Sequence, residues 1–433
     1  MTDLIVRKTE RLHGTVKAPP SKAYTHRAII AASLSNGESR ILNPLFCDDT
    51  LATIDACRML GAKINVERDS DEETLRVLGT PNPTTPTDVI NCRNSGSTIR
   101  FVTPVCALAE GISILTGGRS LRKRPMGPLI EALRSLGVRC YSARGDGYPP
   151  IIVFGGGIRG GRASIRGDIS SQFISGLIFA TPKAIKRTEI RLSSPLESKP
   201  YVEMTMDVVR RHGIEVLVQE DYSLLTVPPS QEYTPSDHLI EGDYSSASFL
   251  LAAAAITDSR IRVENLRSET LQGDRLIVDI LREMNVHVDV ERDYVEVRGV
   301  RGQLEGIEVN LRDNPDLVPV CAALAASAQG RTVITGVRRL RFKESDRLAS
   351  ISSEMTKLGA EVKVKDDRLE VVGGELHGAE INPHNDHRIA MACAVAALKA
   401  EGETKVCGVE CINKSYPSFV RDMRLLGGDL TER

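Results

Sequence analysis

Hydrophobic and polar positions along this chain alternate between two helical patterns, each pair being followed by strands. One pattern is apolar nearly all round, as in residues 246–256 (SASFLLAAAAI), 317–328 (LVPVCAALAASA) and 389–398 (IAMACAVAAL). A helix that is apolar on every face is expected to be buried on every face. The other pattern is amphipathic, as in residues 128–136 (PLIEALRSL) and 275–284 (RLIVDILREM). A strand with strict period-two alternation follows, as where Ala360, Val362 and Val364 alternate with Glu361, Lys363 and Lys365. Such a strand has one dry and one wet face. A second short strand, such as residues 368–372 (RLEVV), then turns back.

The junction between amphipathic helix and strand recurs six times. It reads Leu60-Gly61, Leu136-Gly137, His212-Gly213, Met284-Asn285, Leu358-Gly359 and Leu426-Gly427. The second residues are separated by 76, 76, 72, 74 and 68 positions. A fixed period over a whole chain predicts a repeat architecture. Because the strands keep a wet face while the first helices are dry all round, the pattern predicts helices inside and sheets outside. Six copies in 433 residues exceed one ordinary core, so two domains of three repeats are expected. The Pro/Ser-rich residues 228–237 and the stretch Ala18-Pro19-Pro20 are the candidate crossings.

Composition narrows the partners. The net charge is −1, so no global field favours nucleic acid or an anionic membrane, and any anion site must be a local cluster. With no Trp and 4% aromatics there is no stacking platform for single-stranded nucleic acid. No 18-residue apolar run exists, and residues 1–8 lack the apolar stretch of a secretory signal. Nine scattered cysteines without a Cys-x-x-Cys pair read as reduced thiols of a cytoplasmic protein. The balanced charge favours a monomer. His384 and His387 lack a third ligand, so no metal is expected. The glycine-rich stretches lack the context of a dinucleotide or Walker site.

The polar residues fall at one phase of the repeat. Buried helices are expected to begin near Ser21, Ser95, Ser170, Ser245, Pro315 and Asp386. Ser, Asn and Asp there satisfy open N–H groups, which is the reading for Ser245-Ser246 and for Asp48-Asp49 before an amphipathic helix. Capping does not require cations. Yet Lys22, Arg27, Arg100 and Arg388 occupy the first turns of helices that should be buried. Helix N-termini already carry about half a positive charge, so added cations call for an anion. Starts of the amphipathic helices carry the same excess: Arg122-Lys123-Arg124, Lys199, the set Arg341, Lys343 and Arg347, and Lys414. The pattern predicts a site for multivalent anions. Two carboxylates lie within it, Asp316 and Glu344. Asp316 either caps its helix or, facing substrate, acts as a general base.

At these residues the chain resembles the enolpyruvyl transferases. The resemblance runs through Pro20-Ser21-Lys22 with Arg27, Asn94-Ser95-Gly96-Ser97-Thr98-Ile99-Arg100, Arg124-Pro125-Met126, Ser170-Ser171-Gln172-Phe173 and Ser198-Lys199-Pro200-Tyr201. It continues in Glu241-Gly242-Asp243, Asn314-Pro315-Asp316, Lys343-Glu344-Ser345-Asp346-Arg347, Asn385-Asp386-His387-Arg388 and Lys414.

That resemblance implies a two-domain inside-out α/β barrel of six βαβαββ repeats. It implies domains of residues 21–239 and of 1–20 with 240–433, and an active site in the cleft between them. It further implies transfer of enolpyruvyl from phosphoenolpyruvate to the 5-hydroxyl of shikimate-3-phosphate, without metal or organic cofactor. Carried over by position, shikimate-3-phosphate falls to Lys22, Arg27, Ser170, Ser171, Gln172, Ser198, Asp316 and Lys343. Phosphoenolpyruvate falls to Lys22, Asn94, Gly96, Arg124, Gln172, Arg347, Arg388 and Lys414. Catalytic roles fall to Asp316, Glu344, Lys22 and Lys414.

Ala23 stands where the family usually has Ser, and Ser97 and Phe101 stand where Ala or Thr and Pro are common. The relative that uses UDP-N-acetylglucosamine usually carries a Cys in the loop matching Gly117-Gly118-Arg119-Ser120-Leu121, and none lies there. A non-catalytic scaffold would have no use for cations at buried helix starts, and an RNA-end-processing relative would want a nucleotide site.

Overall fold

The computed structural model describes residues 2–69 and 72–433. The chain forms two compact units, Pro20–Ile240, and Met1–Pro19 with Glu241–Arg433. Pro20 and Ile240 therefore each group one residue away from the expected boundary.

In the unit Pro20–Ile240, apolar and amphipathic helices alternate: α1 (Lys22–Ser33), α2 (Asp48–Met59), α3 (Gly96–Cys106), α4 (Gly127–Ser135), α5 (Ser171–Ala180) and α6 (Lys199–Arg211). Each pair accompanies one four-stranded sheet. In the middle copy Ile90–Asn91 runs parallel to Ile112–Thr116, as a strand–helix–strand crossover requires. Ile112–Thr116 is antiparallel to Ile151–Phe154, which is antiparallel to Arg139–Ser142. The sheet beginning at Gly161–Ile165 repeats this order. The first sheet takes its parallel strand, His238–Leu239, from the far end of the unit.

The unit of Met1–Pro19 and Glu241–Arg433 holds α7 (Tyr244–Ala255), α8 (Ile277–Glu283), α9 (Val318–Ser327), α10 (Arg347–Lys357), α11 (His387–Ala397) and α12 (Phe419–Leu425). The N-terminal residues complete two of its sheets. His13–Lys17 pairs in parallel with Arg260–Glu264, and Leu4–Arg7 lies between Glu403–Val406 and Leu430–Glu432.

Every residue of α7, α9 and α11 is buried, as the all-round apolar pattern predicts. Their many alanines let helices approach closely without voids. In the strand Glu361–Lys365 the exposed positions are the charged Glu361, Lys363 and Lys365.

All six helix–strand junctions are the same device. The residues at 61, 137, 213, 285, 359 and 427 all have positive φ, from 67° at Asn285 to 107° at Gly359. In each, that residue's N–H and the next one close back on the helix, as Gly61 N–H does on Arg58 and Ala62 N–H on Cys57. This double closure satisfies the orphan carbonyls of the last turn and requires a left-handed residue. Five copies use glycine, and the fourth uses Asn285, the side chain that best tolerates this region.

Four of the six expected helix starts hold: Ser21, Ser95, Ser170 and Asp386 cap α1, α3, α5 and α11. Two do not. Asp243, not Ser245, caps α7 by accepting from the Ser246 N–H at 3.0 Å. The α9 helix starts at Val318, after Pro315 and Asp316, and has no side-chain cap.

Candidate active site

None of the six buried helices has an acidic residue in its first turn. The cations at these starts are therefore held by groups from elsewhere in each unit.

In the unit Pro20–Ile240, Lys22 opens α1 and its Nζ lies 3.1 Å from Asp49 Oδ2. Asp49 is not the expected cap. Cys47 takes that place, its N–H accepted by Thr50 Oγ1 at 3.0 Å, and Asp49 lies buried in the first turn of α2. Arg27, one turn further along α1, is buried. It donates at 2.8 Å to each of three neutral acceptors: Thr205 Oγ1, Ala23 O and Tyr201 O. Its guanidinium sits 5.2 Å from the Phe101 ring centre and 5.9 Å from that of Tyr201. Burial brings its pKa down to about 10. Thus both Ala23 and Phe101, where the chain departs from the family's usual residues, touch Arg27.

The starts of α3 and α5 are tied together. Arg100 Nη1 donates to Gln172 Oε1 at 2.7 Å and to Ser170 Oγ at 3.4 Å, while Gln172 Nε2 donates to Ser97 Oγ at 2.9 Å. Gly96 lets Arg124 lie against the α3 N-terminus, since a Cβ there would stand 2.5 Å from Arg124 Nη1. Gly118 likewise makes room for Asn94, whose Oδ1 would meet a Cβ at 2.3 Å. Ser171 is buried in the first turn of α5. Ser198 precedes α6 in the left-handed conformation, φ 57° and ψ 46°, and is buried. For a non-glycine residue that backbone costs on the order of 1 kcal/mol or more.

In the other unit, the basic and acidic candidates form one network. Arg347, 1% exposed, opens α10 and binds three carboxylates. Its Nε donates to Asp386 at 2.8 Å, Nη1 to Asp316 at 2.9 Å and Nη2 to Glu344 at 2.7 Å. Burial opposes its charge, but Asp386, Glu344 and Asp316 together raise its pKa. Glu344 also accepts from Lys414 Nζ at 3.0 Å. Asp316 accepts from Arg388 Nη2 at 3.0 Å and has Lys343 Nζ at 3.6 Å. Burial would raise the Asp316 pKa, yet Arg388, Lys343 and Arg347 hold it well below the carboxylate range. Burial depresses Lys343 to about 8 against the pull of Asp316.

Asp316 caps nothing. It is bound by arginines from the starts of α10 and α11, which leaves the ion-pair and base readings. Two more carboxylates belong here. Asp386 caps α11 and anchors Arg347. Asp274 is buried, and burial followed by the nearby Asp316 raises its pKa to about 6. Among the described residues no group of three or more His, Cys, Asp or Glu is arranged to hold a metal ion, and no helix is long and apolar enough to cross a membrane.

The sequence model of the EPSP synthase (3-phosphoshikimate 1-carboxyvinyltransferase) family matches residues 6–423. A 3-phosphoshikimate 1-carboxyvinyltransferase of Methanocaldococcus jannaschii is 45% identical over 429 residues, 99% of each chain. That of Methanococcoides burtonii is 45% identical over 423 residues, 97% of each chain. The solved EPSP synthase of Acinetobacter baumannii covers 100% of both chains with a TM-score of 0.83 and 25% identity. The enolpyruvyl transferase NikO of Streptomyces tendae, at 20% identity and a TM-score of 0.80, covers 100% of this chain and 99% of its own and shares the fold.

Proposed function

The chain belongs to the EPSP synthase (3-phosphoshikimate 1-carboxyvinyltransferase) family, and from that premise we propose that it transfers the enolpyruvyl group of phosphoenolpyruvate to the 5-hydroxyl of shikimate-3-phosphate. The observation that carries the reading is the network of Arg347, Arg388, Lys343 and Lys414 around Asp316 and Glu344. It combines anion-binding groups with two carboxylates able to move protons. No metal or organic cofactor takes part, and the enzyme works as a cytoplasmic monomer.

In the first step the 5-hydroxyl oxygen bonds to C2 of phosphoenolpyruvate and its proton passes to Asp316. The methylene carbon takes a proton from the group formed by Glu344 with Lys22 or Lys414. The resulting tetrahedral intermediate then loses phosphate, and the methyl carbon returns its proton. A carboxylate held as firmly as Asp316 is a weak base. Its basicity rises when Arg388 and Lys343 turn to the incoming anions, since each cation that leaves withdraws its lowering effect. Arg124, Arg347 and Arg388 suit carboxylate and phosphate because a guanidinium donates two parallel hydrogen bonds. Lys22, Asn94, Gly96, Gln172 and Lys414 complete the phosphoenolpyruvate set. Lys22, Arg27, Ser170, Ser171, Gln172, Ser198, Asp316 and Lys343 form the shikimate-3-phosphate set.

We read the architecture as an inside-out α/β barrel in each unit, three βαβαββ repeats with helices inside and sheets outside. Its support is the burial of α7, α9 and α11 beside strands with charged outer positions. Phosphorus NMR of a mixture of the two substrates tests the reaction. The phosphoenolpyruvate signal should be replaced by inorganic phosphate while the phosphate on the shikimate ring stays esterified. Loss of the ring phosphate instead would mark a phosphatase and overturn the reading.

A further inference from the structure

Five residues before each left-handed residue the amphipathic helix turns a side chain into the core. The first four repeats place Ala56, Ala132, Val208 and Ile280 there, all buried. The fifth places Glu354, fully buried on α10. A buried carboxylate is costly unless its oxygens are satisfied. Four donors satisfy these. Oε1 accepts from Ser353 Oγ at 2.9 Å and His384 Nε2 at 3.0 Å. Oε2 accepts from the Asn382 N–H at 3.0 Å and Lys357 Nζ at 2.7 Å. Burial would raise its pKa, and these bonds lower it below the usual glutamate value. The sixth repeat also has a carboxylate, Asp422, but it bonds Ser418 and Arg421 beside it in the chain. Among the six, Glu354 therefore reaches to a distant segment, the loop ahead of α11.

That loop is strained. His384 and Asn385 both have positive φ, 54° and 56°, and neither is glycine. Two consecutive residues in this region persist only where the surroundings over-determine them. The loop ends at Asp386 and Arg388, the groups that anchor Arg347 and Asp316. Arg347 and Glu354 are two turns apart on one face of α10, about 10 Å along the axis. The helix thus grips the segment at both ends, Arg347 on Asp386 and Glu354 on Asn382 and His384.

We propose that Glu354 is a positioning residue for the reaction: by clamping residues 382–385 it fixes where α11 presents Arg388 to the anionic substrate. This rests on the assignment of Arg388 to phosphoenolpyruvate. A residue that only stabilises the core would change melting temperature without selecting one substrate. A clamp on Arg388 changes the KM of one substrate.

The test is steady-state kinetics on the full chain for Glu354→Gln, His384→Ala and Arg388→Lys, each with a melting curve. Glu354→Gln keeps the shape but turns one acceptor oxygen into a donor facing other donors. Its KM for phosphoenolpyruvate should rise about tenfold, with kcat and the KM for shikimate-3-phosphate within about twofold. His384→Ala removes a partner whose side chain is 37% exposed, and its melting curve checks that it folds. It should shift the same KM in the same direction, about threefold. Arg388→Lys checks the assignment itself and should raise the phosphoenolpyruvate KM at least as much. If it does so and neither clamp variant does, the proposal is overturned. If Arg388→Lys leaves that KM unchanged, the assignment and the clamp fall together. A lowered melting temperature with both KM values unmoved makes Glu354 a core residue only.

Discussion

Asp316 holds Arg347 and Arg388 at 2.9 and 3.0 Å, which makes it either their counter-ion or the base that they restrain. Asp316→Ala decides between these. As a base, its loss leaves a folded protein that binds both substrates but turns over 10²–10⁴-fold more slowly, in the range of general-base catalysis. Near-normal kcat would leave Asp316 as an ion-pair partner alone. Lys343 supplies a pH test. Its folded-state pKa is lowered by burial to about 8, so above that pH the cation is lost and the KM for shikimate-3-phosphate should climb. The unfolded chain holds this proton up to about pH 10.4, so between the two values the unfolded state binds more protons and stability rises with pH. Titration of Lys343 itself therefore does not destabilise the fold in this range, and a melting curve at each pH separates loss of affinity from unfolding. Lys343→Arg should remove the alkaline limb, and a limb that survives it would belong to another group. The cations of this site were legible in the sequence because buried helix starts have no use for them. Of their carboxylate partners, Asp316 and Glu344 were legible within the same basic set, while two others were not. Asp49 and Asp386 read as caps, and the residues they hold lie 27 and 39 positions away in the chain, where no local pattern reaches.

At the scale of elements, the six junctions carry a prediction free of the active site. Asn285 is exposed, in the left-handed region at φ 67°, and it ends the one junction without glycine. Asn285→Ala should cost about 1 kcal/mol, the penalty for placing a Cβ without a compensating polar group in this conformation. Urea titration should show a lower midpoint at unchanged slope, and an unchanged midpoint would mean that the closure does not need the left-handed residue. Helix existence and burial were legible throughout, from period and from the all-round apolar runs. Two starts were not. Asp243 outcompetes Ser245 for the α7 cap, and serines on either side of a boundary look alike in sequence. Pro315 does not begin α9 because Asp316 is held by side chains from α10 and α11 before the helix turns. Glu354 escaped sequence reading for a related reason: on an amphipathic helix one glutamate looks like any solvated one, and only the loop it clamps sets it apart.

Over the whole molecule, one unit of structure recurs six times and its Leu-Gly ends are nearly interchangeable, while its helix mouths differ from copy to copy. Lys22, Arg124 and Gln172 occupy mouths in one unit. Asp316, Glu344 and Lys414 occupy mouths in the other. The repeat explains why basic groups gather in a chain of net charge −1. The strands that complete each unit's first sheet also cross over. His13–Lys17 leads into α1 yet pairs with Arg260–Glu264, and His238–Leu239 leads into α7 yet pairs with Glu38–Leu42. The crossings were legible at Ala18-Pro19-Pro20 and residues 228–237, but the strand pairing was not, because both strands are short and their partners lie some two hundred residues away. The central claim is that these mouths serve enolpyruvyl transfer to shikimate-3-phosphate. The measurement that meets it most directly is phosphate release from phosphoenolpyruvate, followed with no acceptor, with shikimate-3-phosphate and with UDP-N-acetylglucosamine. Release is expected only with shikimate-3-phosphate; equal or faster release with UDP-N-acetylglucosamine would overturn the assignment.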